Sequence, residues 1–127
     1  MKLPLKELQP SQLYLSQDKV HSVTSWYGAS PMTPILVRKF ANCDDWVITD
    51  GHTRAFVAAH QGATMIEVQV DEDDYSQAVI ALYEQCIDWC RKAFIHEISD
   101  LANRQLSQDD YQALWIARCQ THVSKTK

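Results

Sequence analysis

The chain has 127 residues, 46% of them hydrophobic, and a formal net charge of −4. Length and composition fit a single domain, residues 1–127, with its own core, and the acidic balance argues against a domain whose main work is gripping a nucleic-acid backbone, which needs clustered Lys and Arg. No apolar run approaches the ~20 residues of a bilayer span, and Met1–Lys6 lacks the apolar stretch of a secretory leader, so the expected location is the cytoplasm and Cys43, Cys86, Cys90 and Cys119 are expected as free thiols.

Leu3 to Leu8 alternates weakly and predicts a short strand, followed by a turn at Pro10-Ser11-Gln12. Ser16 is a good N-cap for a helix from about Gln17 to Trp26, with Val20, Val23 and Trp26 on one face. Pro34 to Phe40 predicts a strand, since Ile35, Leu36 and Val37 are apolar and two of them are β-branched. Ala41–Asp45 is a turn cluster and Trp46–Thr49 a second strand, spaced to pair with the first as an antiparallel hairpin. Asp50 then stands where an N-cap belongs and Gly62 where a C-terminal glycine belongs, with an alanine-rich apolar helix between them. Met65–Val70 alternates Ile66, Val68 and Val70 against Glu67 and Gln69, which predicts a third strand with one wetter face.

The acidic run Asp71-Glu72-Asp73-Asp74 is expected at the solvated start of a helix, where negative charge complements the dipole, in preference to a metal site. Val79, Leu82, Cys86, Trp89 and Ala93 recur at three- and four-residue steps and predict a long amphipathic helix. Ser99 is expected to cap a short helix through Asn103. Ser107 with Asp110 resembles a capping box for a last helix that carries Leu114, Trp115 and Cys119. Ser99–Tyr111 has the look of a helix-turn-helix, but Asp109 and Asp110 would be repelled by phosphate, so helix packing is the expectation. Cys86 and Cys90 lie one turn apart beside an apolar face, which favours core packing over zinc ligation; no structural metal is expected.

The turn Asp50-Gly51-His52-Thr53-Arg54 is the candidate site. A strand that runs straight into a helix points unpartnered first-turn N–H groups outward, and with the dipole these attract anions. Gly51 leaves room for a phosphate to approach. Thr53 adds a hydroxyl, Arg54 a planar fork suited to phosphate oxygens, and His52 a group that titrates near neutrality. Asp50 fits either a cap or a ligand to the divalent cation of a nucleotide.

Two stretches, Pro34–Phe40 and Trp46-Val-Ile-Thr-Asp-Gly-His-Thr-Arg-Ala-Phe-Val-Ala-Ala-His-Gln-Gly62, resemble the core of the ParB/sulfiredoxin superfamily, with its P-I-x-V strand, Gly-x-x-Arg helix start and alanine-rich helix ending in glycine. Leu8–Leu13 resembles the segment upstream of that core. The similarity covers about residues 3–72, and the helical extension at about 75–123 resembles that of small stand-alone ParB-like proteins. The resemblance implies an α+β fold, a small mixed sheet packed by helices with a helical C-terminal tail. It also implies nucleotide phosphates held at Gly51, His52, Thr53 and Arg54, most firmly at Gly51 and Arg54.

His52 stands where sulfiredoxins carry their catalytic cysteine, which argues against sulfinic-acid reduction, and His52-Thr53 departs from the Glu-Arg of ParB clamps. Asp50-Gly51 is closer to the free-serine kinases of the superfamily. That likeness implies a phosphotransferase with a small hydroxyl substrate and an upstream acidic base, for which Asp18 is the nearest candidate; the residues themselves add His52 as an alternative base and Asp50 at the Mg2+ of a nucleotide, ATP, ADP or, as in the clamps, CTP. Two alternatives stand beside this phosphotransferase: a non-catalytic nucleotide- or anion-sensing module that dimerises or acts through a partner, and a DNA-associated ParB-like protein, which the charge disfavours.

Overall fold

A computed structural model describes residues 1–125. Its larger sheet has the order β1-β5-β3-β4, built from β1 (Lys2–Pro4), β3 (Ile35–Phe40), β4 (Cys43–Asp50) and β5 (Met65–Val70). β1 runs antiparallel to β5, β5 parallel to β3, and β3 antiparallel to β4, so the sheet is mixed. The predicted hairpin is present, with β4 beginning three residues earlier than Trp46 because Phe40 pairs with Cys43 across a tight turn. Alternation sets the faces: Ile35 and Val37 of β3 are fully buried, as are Ile66 and Val68 of β5, while Met65 and Val70 at the ends of β5 are exposed.

Helix α1 (Gln17–Trp26) starts where Ser16 was expected to cap it, the Ser16 hydroxyl accepting from the Lys19 N–H. Helix α2 (His52–His60) follows β4 directly and buries Ala55, Phe56, Val57 and Ala58. Full burial of a side chain such as Phe56 or Val57 contributes about 1.5–3 kcal/mol relative to exposure. Helix α3 (Gln77–Lys92) is capped by Ser76 and buries Cys86, Ile87 and Cys90. Its end at Phe94 is unusual: φ is +61°, the left-handed region, with no glycine there.

The C-terminal third is less regular than the sequence suggests. A 3-10 turn at Ile98–Leu101 is capped by Glu97, not by Ser99. Gln105–Leu106 forms β6, which pairs in parallel with β2 (Leu15–Ser16). A helix-turn-helix is therefore not what Ser99–Tyr111 makes. Ser107 caps α4 (Gln108–Tyr111), and a π-helical turn, Gln112–Ile116, joins it to α5 (Ala117–Lys125). These elements are not an appendage: Leu101, Tyr111 and Trp115 belong to the same buried cluster as Ile35 and Phe56. The fold is thus α+β, a mixed sheet packed by helices with a helical C-terminal tail. No helix among the described residues is long and apolar enough to cross a membrane.

The acidic run is placed differently from expectation. Asp71 is buried at the end of β5 and does not lie on a solvated helix turn, since α3 begins only at Gln77. Glu72, Asp73 and Asp74 are exposed.

Candidate functional site

β4 enters α2 through Gly51, whose φ of +102° lies in the left-handed region that glycine adopts at no steric cost. Gly51, not Asp50, occupies the N-cap position, and no side chain caps the helix start. The first-turn N–H groups are thus left to solvent or a ligand. A Cβ at Gly51 would lie 2.5 Å from Ile35 Cγ2 and 2.8 Å from Arg54 Nη2, so glycine is required by space as well as by φ. That same closeness puts the Arg54 guanidinium directly over the glycine.

Asp50 is not the cap it was expected to be; its carboxylate accepts from Arg54 Nη2 at 3.1 Å and stays open to solvent. The Asp50 side chain is 67% exposed and that of Arg54 18%. Arg54 Nη1 donates to Thr33 O at 2.8 Å and Pro34 O at 3.4 Å, which fixes the plane of the fork against the loop before β3. Its Nε–H and one Nη2 N–H have no acceptor among the described residues. Thr53 is half-buried in the first turn, and its hydroxyl makes no hydrogen bond among the described residues.

His52 departs most from expectation. It is 3% exposed, and its Nε2 accepts the Ser11 backbone N–H at 2.9 Å. Accepting there leaves the proton on Nδ1, which is buried without a partner. Burial pushes the imidazole from its ordinary 6.5 down to about 3, so at neutral pH the ring is uncharged. This corrects the reading of His52 as a phosphate donor or surface base: its one acceptor nitrogen is already used to pin the Ser11 segment. Asp18 is exposed in the first turn of α1 and makes no hydrogen bond or ion pair with the turn, so the structure does not bring it into contact with Asp50–Arg54.

Two features next to the turn were not visible in the sequence. Gln9 to Ser11 runs beside β4: the Gln9 N–H donates to Trp46 O, Ile48 N–H to Gln9 O, and the Ser11 hydroxyl to Ile48 O. Behind the α2 start lies a cavity of about 150 Å3, lined by Thr49, His52, Tyr83, Cys86 and Cys119 among others. Beside it, Asp71 accepts from Thr49 Oγ1 at 2.7 Å, from the Tyr75 hydroxyl, and from the Asp73 N–H at 3.1 Å. Burial works to raise the Asp71 carboxyl, but the hydrogen bonds from Tyr75, Thr49 and Asp73, with the charge of Arg38, outweigh it and hold the group below the usual carboxylate range. Arg38 lies over the Tyr75 ring at 4.4 Å. In the sequence this network shows only as a run of four acids after a strand; the hydrogen bonds from Thr49 and Tyr75 single out Asp71 as the one that turns inward.

No family model matches the chain, and no curated protein matches it. Solved structures do. A conserved hypothetical protein from Pyrococcus furiosus aligns with a TM-score of 0.50 and 22% identity, covering 61% of this chain and 34% of its own. Free serine kinase in complex with ADP aligns with a TM-score of 0.50 and 19% identity, covering 67% of this chain and 43% of its own. A protein from Agrobacterium tumefaciens aligns with a TM-score of 0.52 and 10% identity, covering 80% of this chain and 60% of its own. This chain spans less than two thirds of each. The likeness is one of fold alone, over the aligned part of each chain.

Proposed function

We propose that this chain is a nucleotide-binding protein of ParB/sulfiredoxin type that holds phosphates at the start of α2. The observation that carries the reading is the position of the Arg54 guanidinium over Gly51, beside first-turn N–H groups that no side chain caps. A fixed fork, a glycine and a helix N-terminus together present several donors to one anion. The free serine kinase structures with ADP and AMP supply the nucleotide class by analogy of fold. Thr53 adds a free hydroxyl at the same turn. The test is a thermal-shift series with AMP, ADP, ATP, CTP and GTP, with and without magnesium. An adenine nucleotide should raise the melting temperature, because a ligand that binds only the native state stabilises it, and Arg54→Ala should lose that shift. A shift that survives in Arg54→Ala removes the site from this turn.

Phosphoryl transfer to a small hydroxyl compound is a second reading. The exposed Asp50 carboxylate beside the phosphate position supports it, as a group able to meet the magnesium of a nucleotide. The neutral, occupied His52 is not its base, which leaves Asp18 as the candidate, reached only if substrate bridges α1 and the turn. Measurement of ADP or AMP release across a panel of hydroxyl compounds decides it: binding without turnover leaves a sensing module.

A further inference from the structure

All four cysteines are free thiols, and two of them have sulfurs held by other groups. Cys90 donates to Gln12 O at 3.3 Å, and Cys43 accepts from Arg91 Nη2 at 3.2 Å. The remaining two come together from different helices. Cys86 is buried midway along α3, and Cys119 is half-buried near the start of α5. Both line the cavity behind the α2 start. Cys119 also lines an outer groove of about 310 Å3 with Leu82 and Gln120. It therefore has one side toward solvent and the other toward Cys86.

The two thiols are unequal. A hydrogen bond from Cys86 lowers the Cys119 thiol, burial opposes this, and the Arg118 guanidinium lowers it further. The same contact, followed by burial, pushes Cys86 up. Thiolates are the nucleophiles in attack on peroxides and disulfides, and of the two sulfurs Cys119 is the one that solvent reaches.

We propose that Cys119 and Cys86 form a peroxide-reactive pair, Cys119 attacking and Cys86 resolving, and that the resulting disulfide ties α5 to α3 across the cavity. The Cys119 thiolate attacks one oxygen of hydrogen peroxide. The O–O bond breaks, hydroxide leaves and takes a proton to become water, and Cys119 is a sulfenic acid. The Cys86 sulfur then attacks the Cys119 sulfur, the S–O bond breaks, and the departing hydroxyl carries away the Cys86 proton as water. The two thiols lose two electrons in all, and peroxide gains them. The inference stands on the cavity and the helix pair, and does not depend on nucleotide binding.

The experiment treats the reduced full-length protein with a stoichiometric amount of hydrogen peroxide and reads intact mass, free thiols and a non-reducing chymotryptic map, which cuts after Trp89 and so separates Cys86 from Cys90. The expected result is a monomer lighter by two hydrogens, the loss of half the titratable thiols, and one cross-linked peptide pair containing Cys86 and Cys119. Dithiothreitol should reverse all three. Cys43→Ser and Cys90→Ser should behave as the parent does, and Cys86→Ser should leave a Cys119 sulfenic acid that dimedone traps. A cross-link through Cys43 or Cys90, a disulfide between two chains, or thiols that survive a peroxide exposure sufficient to oxidise free cysteine would overturn the proposal. The parent protein's map alone decides the pairing even where a variant fails to fold.

Discussion

His52 Nε2 accepts the backbone N–H of Ser11 at 2.9 Å, so a residue at the start of α2 holds the segment that runs beside β4. The bond requires an unprotonated Nε2. In the folded protein His52 takes up a proton only near pH 3, whereas the unfolded chain does so below about 6.5. Between those values the unfolded state binds the extra proton, so stability is full above pH 6.5 and falls as the pH drops toward 3, by up to roughly 5 kcal/mol. Urea unfolding between about pH 4 and 7 should show that slope. His52→Gln places a non-titrating acceptor near Nε2, and its slope over the same range should be distinctly shallower. An unchanged slope would assign the pH dependence to other groups.

Asp50 competes with any phosphate for Arg54. Because Asp50 is mostly exposed, its ion pair contributes under about 1 kcal/mol, and Asp50→Ala should leave the melting curve nearly unchanged. Without a divalent ion the same variant should bind ADP about two- to five-fold more tightly, since a like charge next to the phosphates is gone. Calorimetric titration reads this directly. Equal affinity in parent and variant would mean that the phosphates sit away from Arg54.

Asp71 gathers hydrogen bonds from Thr49, Tyr75 and the Asp73 backbone. Asp71→Ala leaves these donors without their acceptor in a partly buried place and should cost about 2–3 kcal/mol in chemical denaturation. Since its carboxyl is held below the usual range, the stability it contributes is present above the unfolded carboxylate pKa and is lost as pH falls through the lower folded value. A loss of less than about 0.5 kcal/mol would show that water replaces Asp71 at no cost.

Phe94 ends α3 at φ +61° with its ring 80% exposed, so the side chain gains little from burial while the backbone sits in a region suited to glycine. Phe94→Gly should raise stability by about 1 kcal/mol. A decrease in the melting temperature would show that the ring has a packing role in solution.

The parts of the fold that were legible in the sequence are those with local signals. Ser16 caps α1 because its hydroxyl lies within reach of an N–H three residues on, and the β3–β4 hairpin follows from alternation on either side of a short turn. The Gly51 turn was legible because few residues other than glycine adopt its φ. The rest depends on contacts between residues distant in sequence. A two-residue strand such as Gln105–Leu106 carries no periodicity, and the Gln9–Ser11 segment looks like a turn until Trp46 and Ile48 accept and donate to it. A histidine beside a glycine looks like surface chemistry; only the passage of Ser11 across it makes it a buried acceptor. Which of four acids turns inward is likewise decided by Thr49 and Tyr75, not by the acids themselves.

The short β2–β6 ladder pairs Leu15 with Gln105 and Ser16 with Leu106, and Arg104 Nε donates to Leu13 O at 2.7 Å. The N-terminal part of the core is thus closed by residues made about ninety positions later. During synthesis, Leu13, Leu15 and Val20 wait for Leu101, Tyr111 and Trp115 to emerge before the cluster they share can form. Contacts this remote slow folding and lengthen exposure of apolar surface. The nascent chain is therefore most aggregation-prone after its sheet strands have emerged and before Leu101, Tyr111 and Trp115 follow, and a product truncated ahead of Leu101 would have a sheet but no closed core.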